Sequence, residues 1–444
     1  MKRSKLVVAL SSLPIVAMSL VACQSNLRGK YVFMHKQSGN AYGESVFSGV
    51  SAYLGEDKVK DKSPSEQAVA NQIQMLETCC MMGAKAAIVS SSGNTGYDNA
   101  LKRITEKGMK IVSVDSPISA KYRTLHVDHC DPKAVGAFLA KSAALIGASE
   151  QLEDNQYLNG YDHEVADSID TQAKSAVLAC KSASKKFKIG VITSFSSSPS
   201  QVEWIDYMTK ELTEDTKGIG YSGVIENLNN FQVLPGNDES VKSTEAANTF
   251  ISQGVDVIIN VTSVAAAACG EALNSHYNKT GNRHIKMTSL GMPSEMWTYM
   301  PDLVEGTDIV KMMGTDKVTV SNTRKYWSDS TKPATHGIKP GPLCFPCPLQ
   351  MLWSVPDMGY VAAQVAKHAV EHPDWKPTTD EEIAALDLKL MDGTELTGDR
   401  EKIYSTGDGG YKLIPLDPLP TYAKNIAEWK SYNFLISIIS KVYI

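Results

Sequence analysis

Short apolar runs alternate with longer amphipathic stretches along this chain, and the alternation occurs twice. Lys30–Met34 (KYVFM), Ala86–Ser90 (AAIVS) and Met109–Val114 are apolar runs bounded by polar turns, the pattern of strands buried on both faces. Between them, Ser45–Leu54, Ser63–Gly83 and Tyr97–Lys107 read as helices. The second places Val69, Ile73, Met75, Leu76 and Met82 on one side. A further short strand, Thr124–Val127, runs into Asp131-Pro132. Asp131 suits an N-cap and Pro132 the first helical position, so a helix is expected from there to about Ile146. The order returns with a helix over Ala173–Ser184, a strand over Phe187–Thr193 and a strand candidate over Gly220–Asn227. Helix Ser240–Gln253, strand Val255–Asn260, helix Ala265–Asn274 and strand His284–Leu290 complete the second round. Strand–helix alternation of this kind predicts parallel sheets wrapped by helices.

Several stretches depart from that rhythm. Ala148–Thr171 is polar, acidic and aperiodic, and reads as a surface insertion. Gly306–Pro348 is rich in proline. Met351–Pro356 (MLWSVP) reads as a crossing segment, and Asp357–His368 as a helix. Asp380–Asp387 suggests a short helix, Glu395–Pro415 short terminal strands, Tyr422–Trp429 another short helix, and Leu435–Ile444 an apolar tail. A chain of 444 residues is too long for one ordinary core, so two α/β lobes are expected. The expected first lobe comprises 23–129 and 354–392. The second comprises 130–353 and 393–430, with insertions near 148–171 and 306–348 and a tail over 431–444.

Apolar content of 43% and charged content of 21% are those of a folded protein, and a net charge of −5 excludes a general nucleic-acid binder. Candidate chemistry lies where strands end, because open α/β sheets bind ligands outside the carboxyl ends of their strands. Asp115 ends the Met109–Val114 run and is the strongest such candidate. Lys36 ends the first strand, and Tyr42 offers an aromatic face at the next helix start. In the second half, Ser194–Gln201 (SFSSSPSQ) and Asn260–Ser263 are polar strand ends able to hydrogen-bond a polyol. The chain has no GxSxG, HExxH or P-loop, which argues against the common enzyme classes. His126, Asp128, His129 and Cys130 sit together, but on a strand and turn their side chains alternate faces, which disfavours a metal site. Cys79-Cys80 reads as a pair of free thiols. Cys344 and Cys347 form a lone Cys-x-x-Cys, expected to be a loop disulfide in an oxidising compartment.

Lys2, Arg3 and Lys5 precede an apolar run, Leu6–Val21, that ends Leu20-Val21-Ala22-Cys23. This resembles the signal peptide and lipobox of bacterial lipoproteins, implying cleavage before Cys23, lipidation of its thiol and stable anchoring outside the cytoplasm. From Lys30 to Phe434 the chain resembles the solute-binding proteins of ABC importers, type I periplasmic binding proteins. The nearest branch is that of ribose, rhamnose and autoinducer-2 receptors. The stretches that carry the likeness include FMHKQSGNAYGESVFSGV, KIGVITSFSSSPSQVEW, VDVIINVTSVAAAA, LWSVPDMGYVAAQVA and IYSTGDGGYKLIPLDPLP. The resemblance implies two doubly wound lobes joined by hinge crossovers, no enzymatic activity, no cofactor, and a monomer that serves a membrane permease. Sensing through a membrane partner is the alternative role. The resemblance makes Lys36, Tyr42, Asp115, Ser200, Gln201, Thr262 and Trp353 the ligand-binding set. Ser200 replaces an aspartate of the autoinducer-2 receptors, and Gly291–Pro293 lacks an aspartate of ribose-type members.

Overall fold

In the computed structural model the described residues are 26–93, 95–291, 342–344, 346–396, 403–416 and 418–422. The signal segment with Cys23, most of the 306–348 insertion, the Tyr422–Trp429 helix beyond its first residue and the apolar tail lie outside them. The first round of elements runs β1 (Tyr31–Met34), α1 (Ala41–Leu54), β2 (Val59–Asp61), α2 (Val69–Met81), β3 (Ala86–Val89), α3 (Asp98–Glu106), β4 (Lys110–Val114) and β5 (His126–Val127). The second begins with α4 (Pro132–Leu152), α5 (Gln156–Gly160), α6 (Ser168–Ser182), β6 (Ile189–Thr193) and α7 (Pro199–Glu214). It continues with β7 (Val233–Pro235), α8 (Ser240–Ser252), β8 (Val257–Asn260), α9 (Ser263–Thr280), β9 (Lys286–Leu290) and β10 (Leu349–Leu352). The chain then forms α10 (Val355–Glu371), α11 (Asp380–Ala384), β11 (Ile403–Ser405), β12 (Tyr411–Leu413) and β13 (Leu419–Tyr422).

Two sheets result, ordered β11-β12-β5-β4-β3-β1-β2 and β13-β10-β9-β8-β6-β7. Pairing is parallel in the centre of each, as in Tyr31↔Ala86, Ala86↔Lys110 and Ile189↔Val257; β11–β12 and β10–β13 run antiparallel. The central strands β1, β3, β6 and β8 are buried throughout, the signature of sheets covered by helices on both faces. This is the expected architecture of two doubly wound lobes. The chain crosses between them after β5, after β10 and between β12 and β13.

Three stretches differ from their sequence reading. Ala148–Thr171 is no aperiodic insertion, because α4 runs on through Ala148–Leu152, α5 follows, and α6 starts at Ser168. Glu150 is buried there because Lys286 neutralises it at 3.2 Å, so an acidic residue marks a packed helix end. Gly220–Asn227 makes one bridge, Phe187↔Ile225, and the edge strand falls instead at β7, too short and exposed to leave an apolar run. Residues 403–413 were expected in the second lobe, but β12 pairs with β5 of the first sheet, Lys412 opposite His126. Its ammonium lies 3.2 Å from the buried carboxylate of Asp128, which needs a cation.

The expected Cys344–Cys347 disulfide is also corrected. Cys347 is a free thiol whose sulfur lies 3.6 Å from Ser289 Oγ and 3.7 Å from the Leu349 carbonyl, turned toward the second sheet; the Cys344 side chain lies outside the described residues. Cys79 and Cys80 are both free. No helix among the described residues is long and apolar enough to cross a membrane.

The first lobe rests on a reciprocal contact between α1 and α10. A methyl at Gly49 would fall on the carbonyl oxygen of Pro356, and one at Gly359 on that of Val46. The obstruction is backbone on both sides, so neither helix can yield by changing a rotamer. Gly49→Ala and Gly359→Ala are each expected to cost about 3 kcal/mol or more. Denaturant melts that move by less than about 1 kcal/mol would show that the helices can slide apart.

Candidate ligand-binding site

Four neighbouring strands of the first sheet end at one place. Lys36 follows β1, Ser90 follows β3, Asp115 follows β4 and His129 follows β5. Their side chains converge on the Asp115 carboxylate. Lys36 Nζ is 2.8 Å from Oδ2, Ser90 Oγ donates to the same oxygen at 2.6 Å, and Ser116 Oγ donates to it at 3.2 Å. His129 Nε2 lies 3.4 Å from Oδ1. Burial alone would raise the Asp115 pKa, but the Lys36 ammonium, then His129, outweigh it and hold the carboxyl well below the usual range. Asp115 also has φ 60°, a left-handed conformation that Asp tolerates better than most residues. Behind it His129 Nδ1 is 2.5 Å from Asp128 Oδ1, so the imidazole lies between two buried carboxylates. Of the residues set aside as an unpromising metal cluster, His129 and Asp128 thus form the backing of the site. Among the described residues no group of three or more such side chains is arranged to hold a metal.

The second lobe faces this array. Ser200 and Gln201 lie in the first turn of α7, whose Pro199 takes an early helical position after the Ser-rich loop. Gln201 Oε1 accepts from Thr193 Oγ1 at 2.6 Å and from the Ser194 N–H at 2.7 Å, which fixes the amide and leaves its NH2 group unengaged among the described residues. Thr262, at the start of α9, donates to Asp238 Oδ1 at 2.8 Å. Ser200 Oγ is 3.1 Å from Ser116 Oγ, a direct hydroxyl contact between the lobes.

Aromatic rings close the remaining side. Trp204 and Trp353 are both buried, their ring centres 5.9 Å apart, and His129 packs 4.8 and 4.9 Å from them. Trp353 Nε1 donates to Tyr42 OH at 3.4 Å. The enclosed cleft has an empty volume of about 540 Å³, including the part open to solvent. Lys36, Tyr42, Asp115, Ser200, Gln201, Thr262 and Trp353 all line it, so the structure brings together every residue of the expected set.

Others escaped the sequence reading. His35, Asn40, Trp204 and Asp238 also line the cleft. Trp204 sits one helical turn from Gln201, a spacing that could have flagged it. Asn40 accepts from the Gly43 N–H as the N-cap of α1, a capping signal that was present in the sequence. Asp238 follows an edge strand too short to announce its own end.

A model of the periplasmic binding protein domain matches residues 31–316. The chain belongs to that family. Among solved structures it resembles an ABC transporter solute-binding protein from Clostridium phytofermentas with bound L-rhamnose. That likeness has a TM-score of 0.60 and 18% identity, covering 91% of this chain and 99% of the other. LsrB from Clostridium saccharobutylicum in complex with AI-2 matches at a TM-score of 0.57 and 16% identity, over 90% of this chain and 99% of that one. A sugar ABC transporter protein from Actinomyces odontolyticus matches at 0.51 and 18%, over 90% and 96%. At such identities the likeness establishes the fold. In a periplasmic binding protein the lobes close on a ligand by hinge motion, and the strand-end groups described above face each other across that hinge.

Burial and the neighbouring Lys36 ammonium lower the pKa of His35 from 6.5 to about 4. Its folded pKa lies below its unfolded one, so the unfolded chain binds the proton first as pH drops. Stability is therefore full above about pH 6.5 and is lost between about 6.5 and 4. Between pH 7 and 4.5 this loss is expected to reach about 2 to 3 kcal/mol. His35→Gln should flatten that segment of the stability curve. Parallel curves for the two proteins in denaturant titrations would assign the acid sensitivity elsewhere.

Proposed function

We propose that this periplasmic binding protein is an extracytoplasmic receptor that closes over a sugar or sugar-like polyol and delivers it to the permease of an ABC importer. In this reading Cys23 carries the lipid that tethers the receptor to the membrane, and the protein acts as a monomer without cofactor or catalysis. The observation that carries the reading is the composition of the cleft. A polyol needs many directional hydrogen bonds and an aromatic face for its C–H surfaces. The first lobe supplies the Lys36 ammonium, which has donors to spare beyond Asp115. The second lobe supplies the Gln201 amide, and the hinge supplies Trp353 against Tyr42. A ligand that touches both sets favours the closed form. A wrong ligand leaves those buried groups unpaired, which is the source of selectivity. The L-rhamnose named for one similar structure supports the same class of ligand.

Binding can be read by thermal shift over pentoses, deoxyhexoses and furanosyl diols, because a ligand of the native state alone must raise the melting temperature. A sugar of one of these classes is expected to do so. Lys36→Met should then weaken that sugar about 10- to 100-fold, the value of charge-assisted hydrogen bonds lost from a closed site. If no sugar stabilises the protein, or if Lys36→Met binds it unchanged, the reading fails.

A further inference from the structure

The described cleft holds one carboxylate more than it holds ammonium groups. Lys36 and Asp115 neutralise each other. His35 and the hydroxyl and amide groups around them carry no charge at neutral pH. The surplus carboxylate is Asp238, in the turn after β7. Asn237 and Asp238 both adopt left-handed conformations, φ 52° and 51°, and Asp238 lines the cleft.

Counting valences separates the roles of the two acids. Oδ2 of Asp115 already takes Lys36, Ser90 and Ser116, and Oδ1 lies 3.4 Å from the His129 ring without a hydrogen bond, so Asp115 already holds a cation and two hydroxyl donors. Asp238 accepts only from Thr262, through Oδ1, and among the described residues its Oδ2 has no partner. We infer that Asp238 is the second lobe's ligand-accepting carboxylate and sets the ligand class: a polyol offering a hydroxyl or ammonium donor and bearing no acidic group. Asp115 then acts as a positioning residue for Lys36. This inference rests on the sugar reading above and narrows it.

The energetics favour the same assignment. Burial raises the Asp238 pKa, Lys36 opposes that rise, and Asp115 adds repulsion. Asp238 is half-buried, so a ligand that covers its free oxygen must supply a donor in place of solvent. A sugar acid would instead bring a further carboxylate against two already present, and like charges in a closed cleft repel. An amino sugar would complete the charge balance.

Trp204 and Trp353 line the cleft, so their fluorescence reports occupancy. The test titrates neutral hexoses, deoxyhexoses and pentoses, hexosamines and hexuronates into the native protein and into Asp238→Asn, which keeps the shape and the acceptor for Thr262. Neutral or amino sugars are expected to bind and hexuronates to fail. Asp238→Asn should weaken each hit at least tenfold, amino sugars most. A hexuronate that binds as tightly as its neutral parent overturns the inference while leaving the sugar reading intact. So does a hit that Asp238→Asn binds within twofold of the native protein. The hexuronate comparison needs no variant, so it decides the matter even if Asp238→Asn fails to fold. An empty panel refutes the sugar reading and this inference together.

Discussion

A lysine ammonium held 2.8 Å from a carboxylate, with both side chains buried, is the constraint around which this cleft is built. Such a pair is costly to bury, and further hydrogen bonds to the carboxylate offset part of that cost. Here the donors come from successive strand ends, Ser90 after β3 and Ser116 after β4, while the His129 ring after β5 lies against the carboxylate with Asp128 behind it. Each donor is delivered by the register of the first sheet. Because side chains alternate along a strand, a slip of one residue would turn a donor away and leave a charge unpaired. The same polar cluster therefore penalises misregistered sheets, and the apolar strands alone do not carry that information.

The two lobes meet through contacts of a different kind. Ser116 and Ser200 touch by their hydroxyls, Lys412 of β12 lies 3.9 Å from Glu203 of α7, and His129 packs on Trp204. A neutral hydrogen bond is worth about 1 kcal/mol net and a partly exposed ion pair less. These contacts join the lobes without locking them together. The α1–α10 contact inside the first lobe is the opposite case, backbone against backbone through glycines, and has no soft direction. Rigidity within a lobe and weak polar seams between lobes are what a hinge requires.

Most of this was legible in the residue pattern where the pattern had a period. Apolar runs marked β1, β3, β4, β6 and β8, and the strand-end rule led to Lys36 and Asp115 before any geometry was available. What stayed hidden had compensated charge or too little length. The end of α4 looked like a polar insertion because Glu150 is acidic, yet Lys286 makes it a core residue. Residues 403–413 were placed with the wrong lobe because three-residue strands carry no signal of their partner, and the Lys412–Asp128 pair that anchors them spans 284 positions. Asp238 was missed for a related reason, since β7 has exposed or half-buried residues throughout.

Position in a motif and free valence are separate properties, and this site shows why the second matters more. By its resemblance to the autoinducer-2 receptors, position 200 should hold an aspartate. Here it holds a serine whose hydroxyl is engaged with Ser116 of the other lobe. That hydroxyl joins the lobes while still lining the cleft, and no carboxylate stands at that position. A cleft that binds a polyol still needs an acceptor on that side, since Gln201 has its oxygen occupied and offers only N–H groups. Asp238, one strand end away, is the carboxylate with an oxygen to give. The charge absent from one strand end is thus present at its neighbour, where it faces the ligand from a different direction. A change of direction with the same chemistry is enough to change which sugar fits.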